Sequence, residues 1–174
     1  MEAKTETITN LHNLLNHDAG SFSSAEIELK NILPEWINKA GSLILKTVLQ
    51  KYLDYVQQHI QKLESFVEDE KILSVEFKNR VMTAFIEETG EKLSHCSDAQ
   101  ILDACLLACI QLINHFKISS YGTAASFAKA LNMEKYVAVF HEAEVGEKQI
   151  DDRLSQLAEH EINIQAIAPI VLQG

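Results

Sequence analysis

ILDACLLACIQLINHF, residues 101–116, is apolar on almost every face when wound as a helix. Such a helix needs neighbours on most sides, so it is the central element of the fold. Just before it, Ser97-Asp-Ala-Gln100 has the spacing of a capping box, with Ser97 as N-cap and Gln100 three positions on. Downstream the pattern continues through Tyr121 and Gly122 to Leu131, and Gly122 would let a neighbour approach closely. Asp103 and Gln111 interrupt the run, which falls short of the roughly 20 apolar residues that a bilayer crossing needs.

The flanking segments are amphipathic. Residues 42–69 give the clearest stripe, with Leu45, Val48, Leu49, Tyr52, Tyr55, Val56, His59, Leu63 and Phe66 at helical spacing. Residues 5–39 read as a helix with a bend expected at Gly20 or Pro34, and Glu26, Leu29, Leu33 and Ile37 share one face. A shorter helix over residues 74–93 carries Val75, Val81, Met82, Phe85 and Ile86. Asn132 is expected to cap a last helix over residues 133–161, with Val137, Phe140, Glu144, Glu147, Asp151, Leu154 and Leu157 along one band. The pattern predicts an all-α fold, a four-helix bundle with one additional helix, as a single domain over residues 1–174. The bundle occupies about residues 5–161, and the apolar tail 162–174, which holds Pro169, should dock on it or on a second copy.

Composition narrows the function classes. Apolar residues make up 47% and charged residues 23%, which is ordinary for a globular chain. A net charge of −10 without a local Lys/Arg cluster argues against nucleic acid as a partner. The three cysteines, Cys96, Cys105 and Cys109, do not form a disulfide framework and read as reduced, packed thiols. MEAKTETITN at the start lacks the basic and apolar regions of a signal peptide, so a cytoplasmic protein away from membranes is expected. There is no Gly-rich phosphate loop, and no nucleophile can be placed with a base and an orienting group.

Polar residues interrupt the apolar faces of four different helices: Glu26; Tyr52 and His59; Asn114, His115 and Lys117; Glu144, Glu147 and Asp151. Bundles that hold two metal ions draw Glu and Glu-x-x-His ligands from their helices in this manner. Here the i, i+3 pair on the central helix is Asn114 and Lys117. A protonated lysine offers three donors and no acceptor, so it repels a cation.

At these residues the chain resembles the YciE/YciF-type ferritin-like proteins of bacteria, a group without an established activity. The resemblance extends from about Leu11 to Glu159. It rests on Ser24-Ala-Glu26 with Leu33-Pro34, His59-Ile-Gln-Lys-Leu-Glu64, and Val81-Met-Thr-Ala-Phe-Ile-Glu-Glu88. His115-Phe-Lys-Ile-Ser-Ser-Tyr-Gly-Thr123 and Glu147-Lys-Gln-Ile-Asp151 complete it. The family's His-Leu-x-Glu stretch is Tyr52-Leu-Asp-Tyr55 here, its Glu-His-Tyr-Glu is Asn114-His-Phe-Lys117, and its Glu-Glu pair is Gly146-Glu147. The first-helix glutamate persists as Glu26.

The resemblance therefore implies a ferritin-like bundle whose former metal positions are Glu26, Tyr52, Tyr55, Asn114, Lys117 and Glu147. No metal or other cofactor is expected there, since an amide and a cation replace the carboxylates that hold a hard divalent ion. One arrangement pairs Lys117 with Glu26 or Glu147 inside the old cavity, with Tyr52 or Tyr55 hydrogen-bonded beside it. In the other, Lys117 reaches outward along its stem and aromatic rings fill the space. The expected function is a non-catalytic ferritin-like protein, stress-related and homodimeric. The alternative is an iron-handling protein or oxidoreductase holding iron, manganese or zinc through Glu26, His59, Glu144 and Glu147.

Overall fold

Asn10 opens the first helix by accepting a hydrogen bond from the Asn13 N–H at 2.8 Å, the usual role of an Asn N-cap. From there α1 (Leu11–Lys39) runs unbroken through both Gly20 and Pro34. The computed structural model describes residues 7–72 and 78–167. After a turn at Ala40 and Gly41, Ser42 caps α2 (Leu43–Asp69) by accepting from the Leu45 N–H. The third helix, α3 (Arg80–Ser94), begins later than its sequence pattern implied, because the Asn79 side chain caps it at Met82. Val75, expected within it, lies outside the described residues.

The central helix, α4 (Ala99–Ala130), is capped by Asp98 and not by Ser97: Asp98 Oδ1 accepts from the N–H groups of Gln100 and Ile101. Asn132 does not cap the helix that follows it. It has a left-handed backbone (φ 58°), and its N–H bonds to the Lys129 carbonyl while the Met133 N–H bonds to that of Ala128. That pattern closes the end of α4, and asparagine is among the few side chains that accept the conformation cheaply. The last long helix, α5 (Glu134–Leu157), passes into a π-helical turn over Ala158–Ile162 and a short α6 (Asn163–Gln165). Of the predicted tail, only residues 162–167 are described: Ile162 is buried, and Ile164 and Ile167 are exposed.

The four long helices form the bundle in the cyclic order α1, α2, α5, α4, and α3 packs across α1 and α4. Neighbours run antiparallel. The start of α4 meets the end of α1, where buried Asp103 accepts from the N–H groups of Gly41 and Ser42 at 2.7 and 2.8 Å. The start of α5 meets the end of α2, where Lys135 and Tyr136 both reach Asp69. Thr83 and Asn79 fasten α3 to Glu28 and Ser21 of α1.

By length and composition α4 is long and apolar enough to cross a membrane. In the bundle it is the core helix, with Asp103, Asn114 and Lys117 all buried. Cys109 is buried, Cys96 and Cys105 are half-buried, and all three are free thiols. Burial and the neighbouring thiols push Cys105 up to about 12, so it rests as a neutral thiol.

Candidate functional site

Seven polar side chains meet at mid-height of the bundle. Glu26 comes from α1, Tyr52 and His59 from α2, Asn114, Lys117 and Tyr121 from α4, and Glu147 from α5. The local spacing explains each placement. Tyr52 and His59 stand seven residues apart on the buried stripe of α2, and Asn114, Lys117 and Tyr121 follow one another by three and four on α4.

Lys117 is the hub. Its Nζ has no exposure and lies 2.6 Å from Glu147 Oε1 and 3.1 Å from Glu26 Oε2. Neither contact has the direction of a good hydrogen bond, so the pairing is chiefly Coulombic. The ammonium also sits 4.6 Å from the centre of the Tyr52 ring, within reach of a cation–π attraction. His59 Nδ1 lies 3.4 Å from Glu26 Oε1 and 3.3 Å from Glu147 Oε1, so each carboxylate faces two groups able to carry positive charge.

Neutral donors complete the shell. Tyr121 donates to Glu26 at 2.6 Å, Tyr52 donates to Glu147 at 3.0 Å, and the Asn114 amide donates to Glu147 Oε2 at 2.7 Å and to its backbone carbonyl at 3.0 Å. Burial, reinforced by the adjacent carboxylates, holds both tyrosines well above the usual phenol range, so they remain protonated donors. Burial alone would raise the Glu147 carboxyl, but Lys117 and His59 outweigh it and the net direction is down. For His59, burial pulls downward, as does the Lys117 charge, while the adjacent Glu147 and Glu26 carboxylates pull upward more strongly, and the net direction is up.

Of the expected positions, Glu26, Tyr52, Asn114, Lys117 and Glu147 converge here. Tyr55 does not: it is half-buried, and its hydroxyl donates outward to Gln149 at 3.3 Å. Glu144 also lies elsewhere. The buried line of α5 is Phe140, Ala143, Glu147, Ile150 and Leu154, which turns Glu144 and Asp151 toward its margins. Glu144 bonds to Lys148 at 2.6 Å, and its carboxylate occupies the space that a side chain on Gly122 would take. His115 is exposed and pairs with Asp151 at 2.9 Å. Tyr121 is the member that sequence reasoning missed, although its position four residues after Lys117 put it on the same face.

The four-residue fallback set thus reduces to three. Glu26, His59 and Glu147 offer one ligand atom each within 4.8 Å of one another, a spacing that could hold one metal ion. The Lys117 ammonium, however, contacts the same two carboxylates. An ion bound to those oxygens at roughly 2.0–2.2 Å would lie against a fixed positive charge. The cluster offers two carboxylates and one imidazole to a cation, with the Lys117 side chain against both carboxylates.

A family described as a domain of unknown function, DUF892, matches residues 10–167 of the chain. Protein YciF of Escherichia coli K12 is 29% identical over 144 residues, covering 82% of this chain and 87% of YciF. The crystal structure of the E. coli stress protein YciF superposes with a TM-score of 0.83 at 26% identity, over 90% of this chain and 99% of that one. YcfI of Rhodopseudomonas palustris superposes with a TM-score of 0.82 at 24% identity, over 88% and 98%. This last likeness concerns the fold alone.

Proposed function

The chain belongs to the DUF892 family, and from that premise we propose that it is a non-catalytic ferritin-like protein in which an internal cation, Lys117, has taken the place of bound metal. One observation carries this reading: the fully buried Lys117 ammonium lies 2.6 and 3.1 Å from the two carboxylates that a metal would need. Removing one partner of such a pair leaves a charge stranded in the core, so Glu26 and Glu147 serve the fold through Lys117. A stress-related role follows the name carried by E. coli YciF. A cytoplasmic homodimer, burying apolar surface such as Leu43, Leu112 and Ile164, belongs to the same proposal.

The spacing of Glu26, His59 and Glu147 favours a second reading, a single-metal site reached when Lys117 is displaced. Plasma mass spectrometry of the purified protein, before and after incubation with ferrous iron, zinc and manganese, separates the two. Well under one equivalent in every condition supports the lysine-filled cavity. One tightly held equivalent that disappears in Glu26→Ala and Glu147→Ala overturns it.

A further inference from the structure

Cys96, Cys105 and Cys109 take no part in the Lys117 cluster, yet they are gathered at one junction of the fold. Cys105 and Cys109 stand four residues apart on one face of α4, and Cys96 lies in the turn between α3 and α4, just ahead of the Asp98 cap. The Cys96 thiol donates to the Lys92 carbonyl at 3.4 Å, which folds it back over the last turn of α3. Cys105 is the middle member: its thiol meets those of both Cys96 and Cys109, through hydrogen bonding and through charge. Cys109 is buried, whereas Cys96 and Cys105 are half-buried, so the group is reached from solvent on one side. Within α4 the two sulfurs are placed to share an ion and not to bond to each other. Residues four apart on a helix have Cβ atoms about 5–6 Å apart, beyond the roughly 3.5–4.5 Å of a disulfide. Metal–sulfur bonds of about 2.3 Å, the zinc value, let two sulfurs stand up to about 4.6 Å apart around one ion.

We propose that this thiol group binds one soft monovalent cation, copper(I), through Cys105 and its neighbours Cys96 and Cys109. Thiolates select soft ions, which fixes the class. Among the described residues, the one set of three His, Cys, Asp or Glu ligand atoms within 4.8 Å of one another is Glu26, His59 and Glu147. The thiols therefore stand as a close pair with a third alongside, and no His, Asp or Glu completes a tetrahedron around them. That suits copper(I), which two thiolates satisfy, and not zinc, whose structural sites take four ligands. As each sulfur binds, its proton passes to water. Lys92 places a positive charge near Cys105 and Cys109, which offsets the negative charge of a dithiolate–copper(I) unit.

The probe is copper(I) supplied as its acetonitrile complex and titrated without oxygen into the full, reduced chain. The ultraviolet thiolate-to-copper charge-transfer band should saturate at one ion per chain, and competition with bicinchoninate gives the affinity. Cys105→Ser removes the shared sulfur and should weaken binding by more than about a hundredfold, the upper cost of losing even an outer-shell partner of a ligand. Because that variant could loosen the helix junction, the wild-type protein supplies an independent reading. X-ray absorption at the copper edge should show sulfur neighbours alone, and one equivalent of copper(I) should shield Cys96 and Cys105 together from iodoacetamide. Absence of saturable binding, three independent equivalents, nitrogen or oxygen in the copper shell, or undiminished affinity in Cys105→Ser overturns the proposal.

Discussion

Lys117 is a residue whose removal should cost far more than its size implies. Lys117→Met keeps the stem's packing but strands Glu26 and Glu147, both with no exposure. A loss of about 3–5 kcal/mol is expected in urea unfolding, and adding Glu26→Gln and Glu147→Gln should recover most of it by removing the uncompensated charge. His59 gives the cluster a pH dependence of definite sign. Its folded value lies above the ordinary 6.5, so the folded state binds its proton more tightly than the unfolded chain does. The stability it contributes is complete below pH 6.5 and fades as pH rises through the higher folded value. Urea midpoints of the wild type should therefore fall across that window relative to His59→Gln, and a flat difference would refute the assignment. Glu26, Tyr52, Asn114, Lys117 and Glu147 were legible in the sequence because each puts a polar group on an apolar stripe. Tyr121 was not, since it lies on the helix that is apolar on nearly every face, where no stripe sets its phenol apart, and its partner Glu26 stands 95 residues away.

Elements were legible where burial defines them and less so where single hydrogen bonds do. The stripe of α2 fixes that helix to within a residue, whereas the ends of α4 and the face of α5 depended on details that composition hides. Ser97 and Asp98 are both good N-caps, and only the geometry selects Asp98. Asn132 closes a helix instead of opening one, so Asn132→Val should destabilise by about 1–2 kcal/mol, because a β-branched residue resists the left-handed backbone. Asn132→Gly should be neutral or better, and thermal unfolding of the pair provides the comparison. Asp103 looked like an interruption of the central helix, yet it joins that helix to the α1–α2 turn through two short bonds. Asp103→Ala would leave the Gly41 and Ser42 N–H groups without their acceptor. A loss of about 2–3 kcal/mol is expected, the scale of hydrogen bonds to a charged group, and it should appear as faster amide exchange at that turn.

For the whole molecule, the bundle was readable because four stripes and one nearly all-apolar helix admit few other arrangements. The balance of charge at its centre was not readable, because it depends on where four side chains from separate helices come to rest. That balance decides whether stability depends on metal. A ligand that binds only the folded state at a hundred times its Kd adds about 2.7 kcal/mol, which for a chain of 150–250 residues raises Tm by roughly 5–10 °C. With Lys117 between Glu26 and Glu147, no such gain is expected. Calorimetric scans should give the same Tm, within about a degree, in chelator, ferrous iron, manganese or zinc. In Lys117→Glu, a third carboxylate would replace the ammonium beside Glu26, His59 and Glu147, creating an anionic pocket that is costly when empty and suited to a divalent ion. That variant should melt well below the wild type in chelator and regain several degrees on adding metal. A wild type that gains as much as the variant would mean that Lys117 yields the cavity to metal, and the reading of a lysine-filled bundle would fail.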